Sequence, residues 1–452
     1  MIGVALLLIA VGLYFSSRFR YLSYFLYLSF MMGNAGGGGL GLWTDAMLGI
    51  KNGDCAIIYT FVISVYLVLK RRWKIPRVVW RNKFFLFVGF LSASLLFSYN
   101  HYGLSPYQIL QGGRSFLLVF SLPILLHATP DEVRKVLRML LWICLFTSVL
   151  YILQILVVGG PIMPYPGEVG IDRTTGLVRM YNFPANLSVF LALSFLCPAL
   201  MPRVISLPLI RGILFVALMC TLGRTGIATG LLTVMLALVF DGKFKKIGTA
   251  IIILGILSIP FISTLSQRFE EGGTSNDLSQ ILQGNFNEDY RNEGDATMLY
   301  RFAWCYERAS YLTERSVGEQ IFGLGMCSDS QDWVYKHYNF KIGLLNKEVM
   351  RPVQLSTPDI SFGNMIAQLG FLGMFIYLYF YLSLAWYFWK LRHGNILFLL
   401  MSAFSVMLLV EGFAGSGLSE VRSLSLMFMV MSLAFHAGGK GLMRFDYEKT
   451  KA

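Results

Sequence analysis

Long apolar stretches alternate with short polar ones along most of the chain. Stretches of this length and composition predict membrane-spanning helices rather than the core helices of a soluble domain. Several are shorter than the ~20 residues that a straight span needs, so some of the helices are expected to be broken or partial. The thirteen predicted spans are 2–15, 21–33, 55–69, 84–98, 115–127, 139–158, 187–201, 205–222, 226–240, 247–264, 361–389, 396–412 and 423–437.

The spans predict an all-α, polytopic integral membrane protein with 12 or 13 transmembrane helices. The lower number applies if the first run is not a span, although it lacks the small-residue cleavage site of a signal peptide. Three regions follow. Residues 1–264 are N-terminal transmembrane helices with short loops, 265–360 form a large, partly helical external loop, and 361–452 hold the C-terminal helices and a cytoplasmic tail.

Composition agrees with this class. The 452 residues are 56% hydrophobic and only 14% charged, whereas soluble domains are about a quarter charged. The chain therefore has too few polar residues to cover the surface of a soluble protein.

The distribution of charge predicts the orientation. The net charge is +13. Alternate loops carry 23 Lys and Arg with five acids, and the remaining segments have a net charge of −5. The positive-inside rule then predicts an external N-terminus and a cytoplasmic C-terminus, and no nucleic-acid partner is needed to explain the charge. The predicted cytoplasmic loops are short and contain no phosphate-binding P-loop motif, so chemistry is expected on the outer face.

Cysteine and histidine offer no metal-ligand spacing, and no metal or other cofactor is expected. Cys305 and Cys327 both lie in the large loop. They could form a disulfide in an oxidising compartment or remain free thiols.

Arg224 is the first candidate functional residue. It stands in a turn of about four residues between two apolar runs, on the side where topology requires no positive charge. A guanidinium at a membrane boundary can bind phosphate. The alternative is a side chain that extends to lipid phosphates.

A second group lies on a helix predicted over 296–315. Arg301, Arg308 and Arg315 are spaced seven apart and form one stripe, with Trp304 one turn from Arg301. Basic residues among aromatics suit an interfacial helix that binds phosphate or sugar. The alternative, favoured for Arg308 and Arg315, is a solvated face paired with nearby glutamates.

Two further loops carry candidates. The segment 159–186 is too rich in Pro and Gly for a regular helix at its start, and its Arg173 and Arg179 could face a headgroup. Arg173 could instead pair with Asp172 or Glu168.

Asp359 precedes the span at 361–389, where it could act as a base or bind a sugar hydroxyl, or could cap the helix.

The order of these motifs resembles the O-antigen ligase and Wzy-type polysaccharide polymerase superfamily. An Arg in a short outer turn precedes a large loop. That loop contains Arg301-Phe-Ala-Trp304 and Gly323-Leu-Gly325, and the chain re-enters the membrane through Gln368-Leu-Gly370-Phe-Leu-Gly373. The similarity extends from Arg173 to Gly373.

The resemblance implies a fold like that of the GT-C-type membrane glycosyltransferases. It implies a metal-independent glycosyltransferase in the bacterial inner (cytoplasmic) membrane with its active site on the periplasmic face. The donor would be oligosaccharide on undecaprenyl pyrophosphate, and the product O-antigen or a related surface polysaccharide. Arg224 and Arg301 would hold pyrophosphate, with Arg173 a weaker match. A chain-length regulator protein is a candidate partner, besides the lipid bilayer.

A ligase that transfers finished glycan to lipid A-core or another acceptor is the alternative within the family. Ligases carry an essential His at the end of the large loop, where this chain reads Ser356-Thr-Pro-Asp359. The missing His favours the polymerase. A transporter or flippase is a third hypothesis, but such proteins place charges within spans, where this chain has few besides Glu411, at a span edge.

Overall fold

A computed structural model describes residues 2–31, 52–73, 75–163, 169–171, 176–242, 248, 298–346 and 349–436. The predicted span at 247–264, most of the first part of the large loop and the C-terminal tail lie outside these ranges. The fold of the described residues is mostly helical.

Seventeen α-helices are numbered here in chain order within the described ranges. The first ten are α1 (Ile2–Tyr14), α2 (Arg20–Met31), α3 (Asn52–Leu69), α4 (Arg81–Tyr102), α5 (Pro106–Leu117), α6 (Ser121–Leu125), α7 (Pro130–Ile152), α8 (Leu187–Leu196), α9 (Leu207–Cys220) and α10 (Arg224–Phe240). The others are α11 (Met298–Thr313), α12 (Val317–Phe322), α13 (Asp332–His337), α14 (Ser361–Leu391), α15 (Ile396–Glu411), α16 (Ser425–Met431) and α17 (Leu433–His436).

Short elements extend or connect these helices. A 3₁₀ turn at Leu118–Phe120 joins α5 to α6, a π-helical segment at Leu153–Val158 continues α7, and Pro198–Leu200 follows α8. Further 3₁₀ turns cover Gly417–Ser419 and Val421–Leu424. Two antiparallel hairpins pair β1 (Val169–Ile171) with β2 (Val178–Met180) and β3 (Leu345–Asn346) with β4 (Arg351–Pro352).

Four helical segments are long and apolar enough to cross a membrane: Arg81–Tyr102, Pro106–Leu125, Pro130–Val158 and Ser361–Leu391. Seven shorter apolar helices accompany them among the described residues. Each of the eleven overlaps a predicted span, but the segments that begin at Pro106 and Pro130 start nine residues before the predicted spans 115–127 and 139–158. The predicted span at 21–33 overlaps the helix α2, which has 12 residues and is not among these eleven helices. These helices indicate a membrane protein.

Helix starts follow local sequence rules. Ser105 and Thr129 each precede a Pro, and each forms a reciprocal capping box with Gln108 or Glu132 at the start of α5 or α7. Such boxes satisfy backbone N–H groups that have no partner inside the helix. Glu132 also pairs with Arg20 at 2.8 Å, which ties α7 to α2.

The described part of the large loop packs directly on the apolar helices. Its glycine turn, Gly323-Leu-Gly325, meets a kink in α14 at Gly370, where φ is +71°. The kink frees the carbonyl of Ala367, which accepts a hydrogen bond from Leu324 N at 2.7 Å. Residues 371–391, after the kink, are alone long enough to cross the ~30 Å hydrocarbon layer.

Helix α4 holds the same turn from the other side. The Tyr102 hydroxyl donates to Gly323 O at 2.9 Å, and the Ser98 hydroxyl accepts from Met326 N at 3.0 Å. The two glycine motifs of the sequence are therefore one packing contact. A Cβ on Gly370 would lie 2.5 Å from the backbone oxygen of Ile321, so no side chain fits there without a backbone shift.

The Cys305–Cys327 disulfide is not formed, and all six cysteines are free thiols. Cys327 is buried in the core beside the glycine turn. Burial of this kind is typical of a structural thiol.

Candidate functional site

Four segments that are distant in the sequence meet at one end of the helix bundle. They are β2, the turn before α10, the start of α11 and the loop that leads into α14. Each carries a residue singled out from the sequence, namely Arg179, Arg224, Arg301 and Asp359.

The turn between α9 and α10 exposes a helix N-terminus. Leu222 adopts a left-handed conformation with φ of 51°, and Gly223 occupies the N-cap without a side-chain capping bond. Arg224 is the first residue of the 17-residue helix. Uncapped N–H groups and the helix dipole favour an anion at this position. The Arg224 side chain is not among those that the structure describes, and both of its roles, at pyrophosphate or at lipid phosphates, stay predictions.

Arg179 brings a guanidinium to the same turn. Its Nη2 lies 3.7 Å from the position that a Cβ on Gly223 would occupy. The guanidinium stacks on the Tyr181 ring, 4.6 Å from the centroid. The Tyr151 hydroxyl of α7 donates to Met180 O at 2.8 Å and fixes the strand that carries Arg179. The predicted non-helical loop is confirmed in the described residues, while Arg173, Asp172 and Glu168 lie outside them.

Arg301 and Arg179 act on one carboxyl group. Burial raises the pKa of Asp359 above its ordinary value, and the positive charge of Arg301 is the largest effect that opposes the rise. A hydrogen bond from the Thr357 hydroxyl, at 3.1 Å, and the charge of Arg179 also lower this pKa. Burial and the charge of Asp359 raise the pKa of Tyr300 to about 12. The site thus combines two cations with a carboxyl group whose pKa burial raises, which makes it a better proton acceptor.

Asp359 does not cap α14, so that alternative is wrong. The N-cap position is Ile360, and no side chain caps the helix. Asn364 instead closes the preceding loop: its Oδ1 accepts from Thr357 N at 2.9 Å, and its Nδ2 donates to Thr357 O at 2.7 Å. These bonds hold the Thr357-Pro-Asp359 segment in a fixed shape.

A buried carboxylate fixes the chain just before this loop. Asp329 accepts backbone N–H bonds from Gln354, Leu355 and Ser356, at distances between 2.7 and 3.2 Å. The Ser356 hydroxyl also donates to it, at 3.0 Å. Asp329 was missed in the sequence because its partners lie about 25 residues away and no motif marks it.

Arg308 requires a correction, because it is neither solvated nor available to a substrate. Its side chain is fully buried and lies between the rings of Trp304 and Phe340, with its Cζ atom 4.0 and 4.5 Å from their centroids. It donates to Gln354 O at 3.2 Å and Val353 O at 3.0 Å. It also pairs with Glu307 at 2.7 Å.

Burial lowers the pKa of Arg308 to about 10, so the guanidinium stays charged at neutral pH. Trp304 is likewise fully buried, and a Cβ on Gly363 would lie 2.5 Å from its ring. Trp304 therefore packs α11 against α14 instead of offering a surface to sugar. Both residues are structural.

The predicted arginine stripe is divided among three environments. Arg301 is partly buried at the site, Arg308 is enclosed, and Arg315 is exposed. Arg315 stacks on Tyr311 and hydrogen-bonds its hydroxyl, instead of pairing with a glutamate. Glu319 forms the capping box of α12 with Ser316. The predicted helix is confirmed as α11 over Met298–Thr313, and Arg315 lies two residues after its end.

Within the described ranges, no group of three or more His, Cys, Asp or Glu residues could hold a metal ion. No family model, curated protein or solved structure matches the chain.

Proposed function

We propose that this protein is an integral-membrane glycosyltransferase that polymerises oligosaccharide repeat units linked to undecaprenyl pyrophosphate. The observation that carries the proposal is the convergence of Arg179 and Arg301 on Asp359, beside the uncapped helix N-terminus that starts at Arg224. A pyrophosphate next to a hydroxyl acceptor needs this combination of clustered positive charge and one carboxylate.

In the proposed reaction the growing chain leaves its lipid carrier. The bond between its anomeric carbon and the pyrophosphate oxygen breaks, and a bond forms to a hydroxyl of the next lipid-linked unit. Arg179, Arg301 and Arg224 stabilise the charge that develops on the departing undecaprenyl pyrophosphate, together with the N–H groups of α10. The Asp359 carboxylate accepts the proton of the attacking hydroxyl.

The fold elements support this chemistry in two ways. The apolar helices provide a membrane location, where polyprenyl tails can lie between them. The Asp359 loop is fixed by buried side chains, and fixed groups orient reactants with little loss of entropy at the reacting centre. We extend the proposal to a GT-C-like arrangement of 12 or 13 spans in the bacterial inner membrane, with the site on the periplasmic face and a chain-length regulator as partner.

Purified protein in detergent provides the direct test. With lipid-linked repeat units as the only substrate, and no ion gradient, the protein should produce long glycan and release undecaprenyl pyrophosphate. Addition of a chelator should leave the yield unchanged. If no polymer forms and the substrate crosses proteoliposome membranes when a gradient is applied, the protein is a transporter and the proposal is wrong.

A deletion strain separates polymerase from ligase. Loss of a polymerase leaves single repeat units on the final acceptor, because transfer to that acceptor continues. Loss of a ligase leaves long chains on the lipid carrier. The proposal predicts the first pattern, and the second would assign the protein to the ligases.

A further inference from the structure

A cavity of about 560 Å³ lies between the start of α7 and the loop that joins α8 to α9. Arg134, Arg138 and Arg203 line it, together with Leu141, Trp142 and Met201. None of the described residues that line it is acidic. The cavity therefore combines three guanidinium groups with an apolar wall.

The cavity is separate from the site of Arg179, Arg301 and Asp359. Arg138 precedes Tyr151, which anchors the Arg179 strand, by about 20 Å along α7. The loop between α8 and α9 likewise lies at the opposite end of these helices from the turn at Gly223. By the distribution of charge, this end of the bundle is predicted to be cytoplasmic.

The surroundings of the cavity resemble the boundary between lipid and water. Trp142 is half exposed, and Val204, on the loop, is 89% exposed. Aromatic side chains are enriched at membrane interfaces, where an exposed apolar loop residue can also contact lipid. Arg134, Arg138 and Trp142 follow each other at four-residue intervals, so they form one face of α7.

The loop that forms the second wall is braced. Arg211 on α9 donates from Nη2 to Ser194 O of α8 at 2.9 Å, and its guanidinium lies over the Phe195 ring at 4.3 Å. Leu200 N bonds to Cys197 O at 3.1 Å within the loop. These contacts between the two helices and within the loop hold the wall in place.

We infer that this cavity binds the headgroup of an anionic phospholipid. Three guanidiniums match the phosphate, since Arg binds phosphate oxygens through paired N–H donors. The apolar wall of Leu141 and Met201, with Trp142 at the edge, matches the glycerol and the first part of an acyl chain. Basic cavities between membrane helices on the cytoplasmic side are suited to anionic lipids, which are enriched in that leaflet.

The test measures lipid affinity by native mass spectrometry of the full-length protein in detergent. The two lipids are phosphatidylglycerol and phosphatidylcholine with identical acyl chains. Wild-type protein should bind phosphatidylglycerol more tightly. In the double variant Arg138→Gln/Arg203→Gln, the ratio of the two affinities should fall by roughly 30-fold. This is the factor expected for the removal of two guanidiniums near an anionic headgroup.

A matched control removes the same charge outside the cavity. Arg18 and Arg72 are exposed and lie near the start of α7. Arg20, two residues after Arg18, pairs with Glu132 in the first turn of α7, and the Arg72 carbonyl hydrogen-bonds His127, three residues before the helix. Arg18→Gln/Arg72→Gln should keep the preference within about twofold. Equal loss in both double variants would attribute the effect to general charge and overturn the assignment. Equal affinity of the wild-type protein for the two lipids would overturn it as well.

Two further measurements cover the source of the phosphate and the folding of the variants. Inorganic phosphate or pyrophosphate should not compete with the lipid at millimolar concentration. Effective competition would identify a soluble phosphate compound as the ligand and overturn the lipid assignment. Phosphatidylglycerol with brominated chains should quench the fluorescence of Trp142. The quenching of the wild-type protein should therefore exceed that of Trp142→Phe. Absence of this difference would contradict the site even if the arginine variants fail to fold.

Discussion

Replacement of Arg308 by methionine should destabilise the protein without directly removing a substrate contact. Methionine fills a similar volume between Trp304 and Phe340 and keeps favourable contacts with both rings. Replacement of a buried ion by an apolar side chain is often neutral. Here, however, the guanidinium is a donor to the backbone carbonyls of Val353 and Gln354.

The magnitude follows from those two carbonyls. Each buried acceptor left without a donor costs about 1–3 kcal/mol. Glu307 keeps bonds from Lys341 N at 2.7 Å and Ile342 N at 3.1 Å, so its carboxylate is not left alone. The total loss is therefore expected near 3 kcal/mol, or roughly 5 °C in apparent melting temperature.

Melting of purified protein in detergent, followed by intrinsic fluorescence, measures this loss. Arg315→Met, two residues after the end of α11, is the control, because Arg315 is exposed, and it should change stability by less than about 0.5 kcal/mol. An Arg308→Met protein with unchanged melting temperature and weakened binding of lipid-linked substrate would refute the structural role. Arg308 would then have to contact the substrate.

Substitutions at Thr357, Gly223 and Gly370 test the site and its support. Thr357→Val removes the hydroxyl that donates to the candidate base. The pKa of that carboxyl should rise further, so the acid limb of the activity profile should move to higher pH; an unchanged profile would exclude the base. Gly223→Ala should remain active, because a Cβ meets Arg179 only at 3.7 Å. Gly223→Asp should fold but lose polymer formation, since its carboxylate competes with pyrophosphate for that guanidinium, and equal activity of the two variants would contradict the anion site. Gly370→Ala should cost about 2 kcal/mol or more in thermal stability, because the position has φ of +71° and a Cβ would lie 2.5 Å from a backbone oxygen. The control Gly89→Ala, with nothing within 4 Å, should be neutral or stabilising, and similar melting of both variants would argue against the kink.

Much of the helical framework could be predicted from the sequence, because apolar length and capping residues are local signals. The runs at 84–98 and 139–158 became α4 and the end of α7 with its π-helical extension. The helix of the large loop was also recognisable from its pattern, and α11 begins at Met298. The family resemblance placed Arg224 and Arg301 together at a pyrophosphate, but no local pattern in the sequence predicts that Arg301 lies close to Asp359.

The errors concern contacts between distant segments. Helical spacing placed Arg308 on a plausible solvent face, but it could not reveal that residues 353 and 354 cover that face. Asp is a common N-cap residue, yet the N-cap of α14 is Ile360, and the loop before it is closed by bonds between Thr357 and Asn364 instead of by Asp359. The kink at Gly370 likewise depends on a glycine turn almost fifty residues earlier.

The central claim is that Arg224, the first residue of α10, and Arg301, on α11, hold the pyrophosphate of the donor. Its most direct test is the surface-glycan profile of a deletion strain complemented with Arg224→Ala, compared with Arg301→Ala and the exposed control Arg315→Ala. Arg224→Ala and Arg301→Ala should each abolish long chains, although both proteins insert into the membrane, whereas Arg315→Ala should restore them. Normal chain lengths with Arg224→Ala and Arg301→Ala would contradict the account.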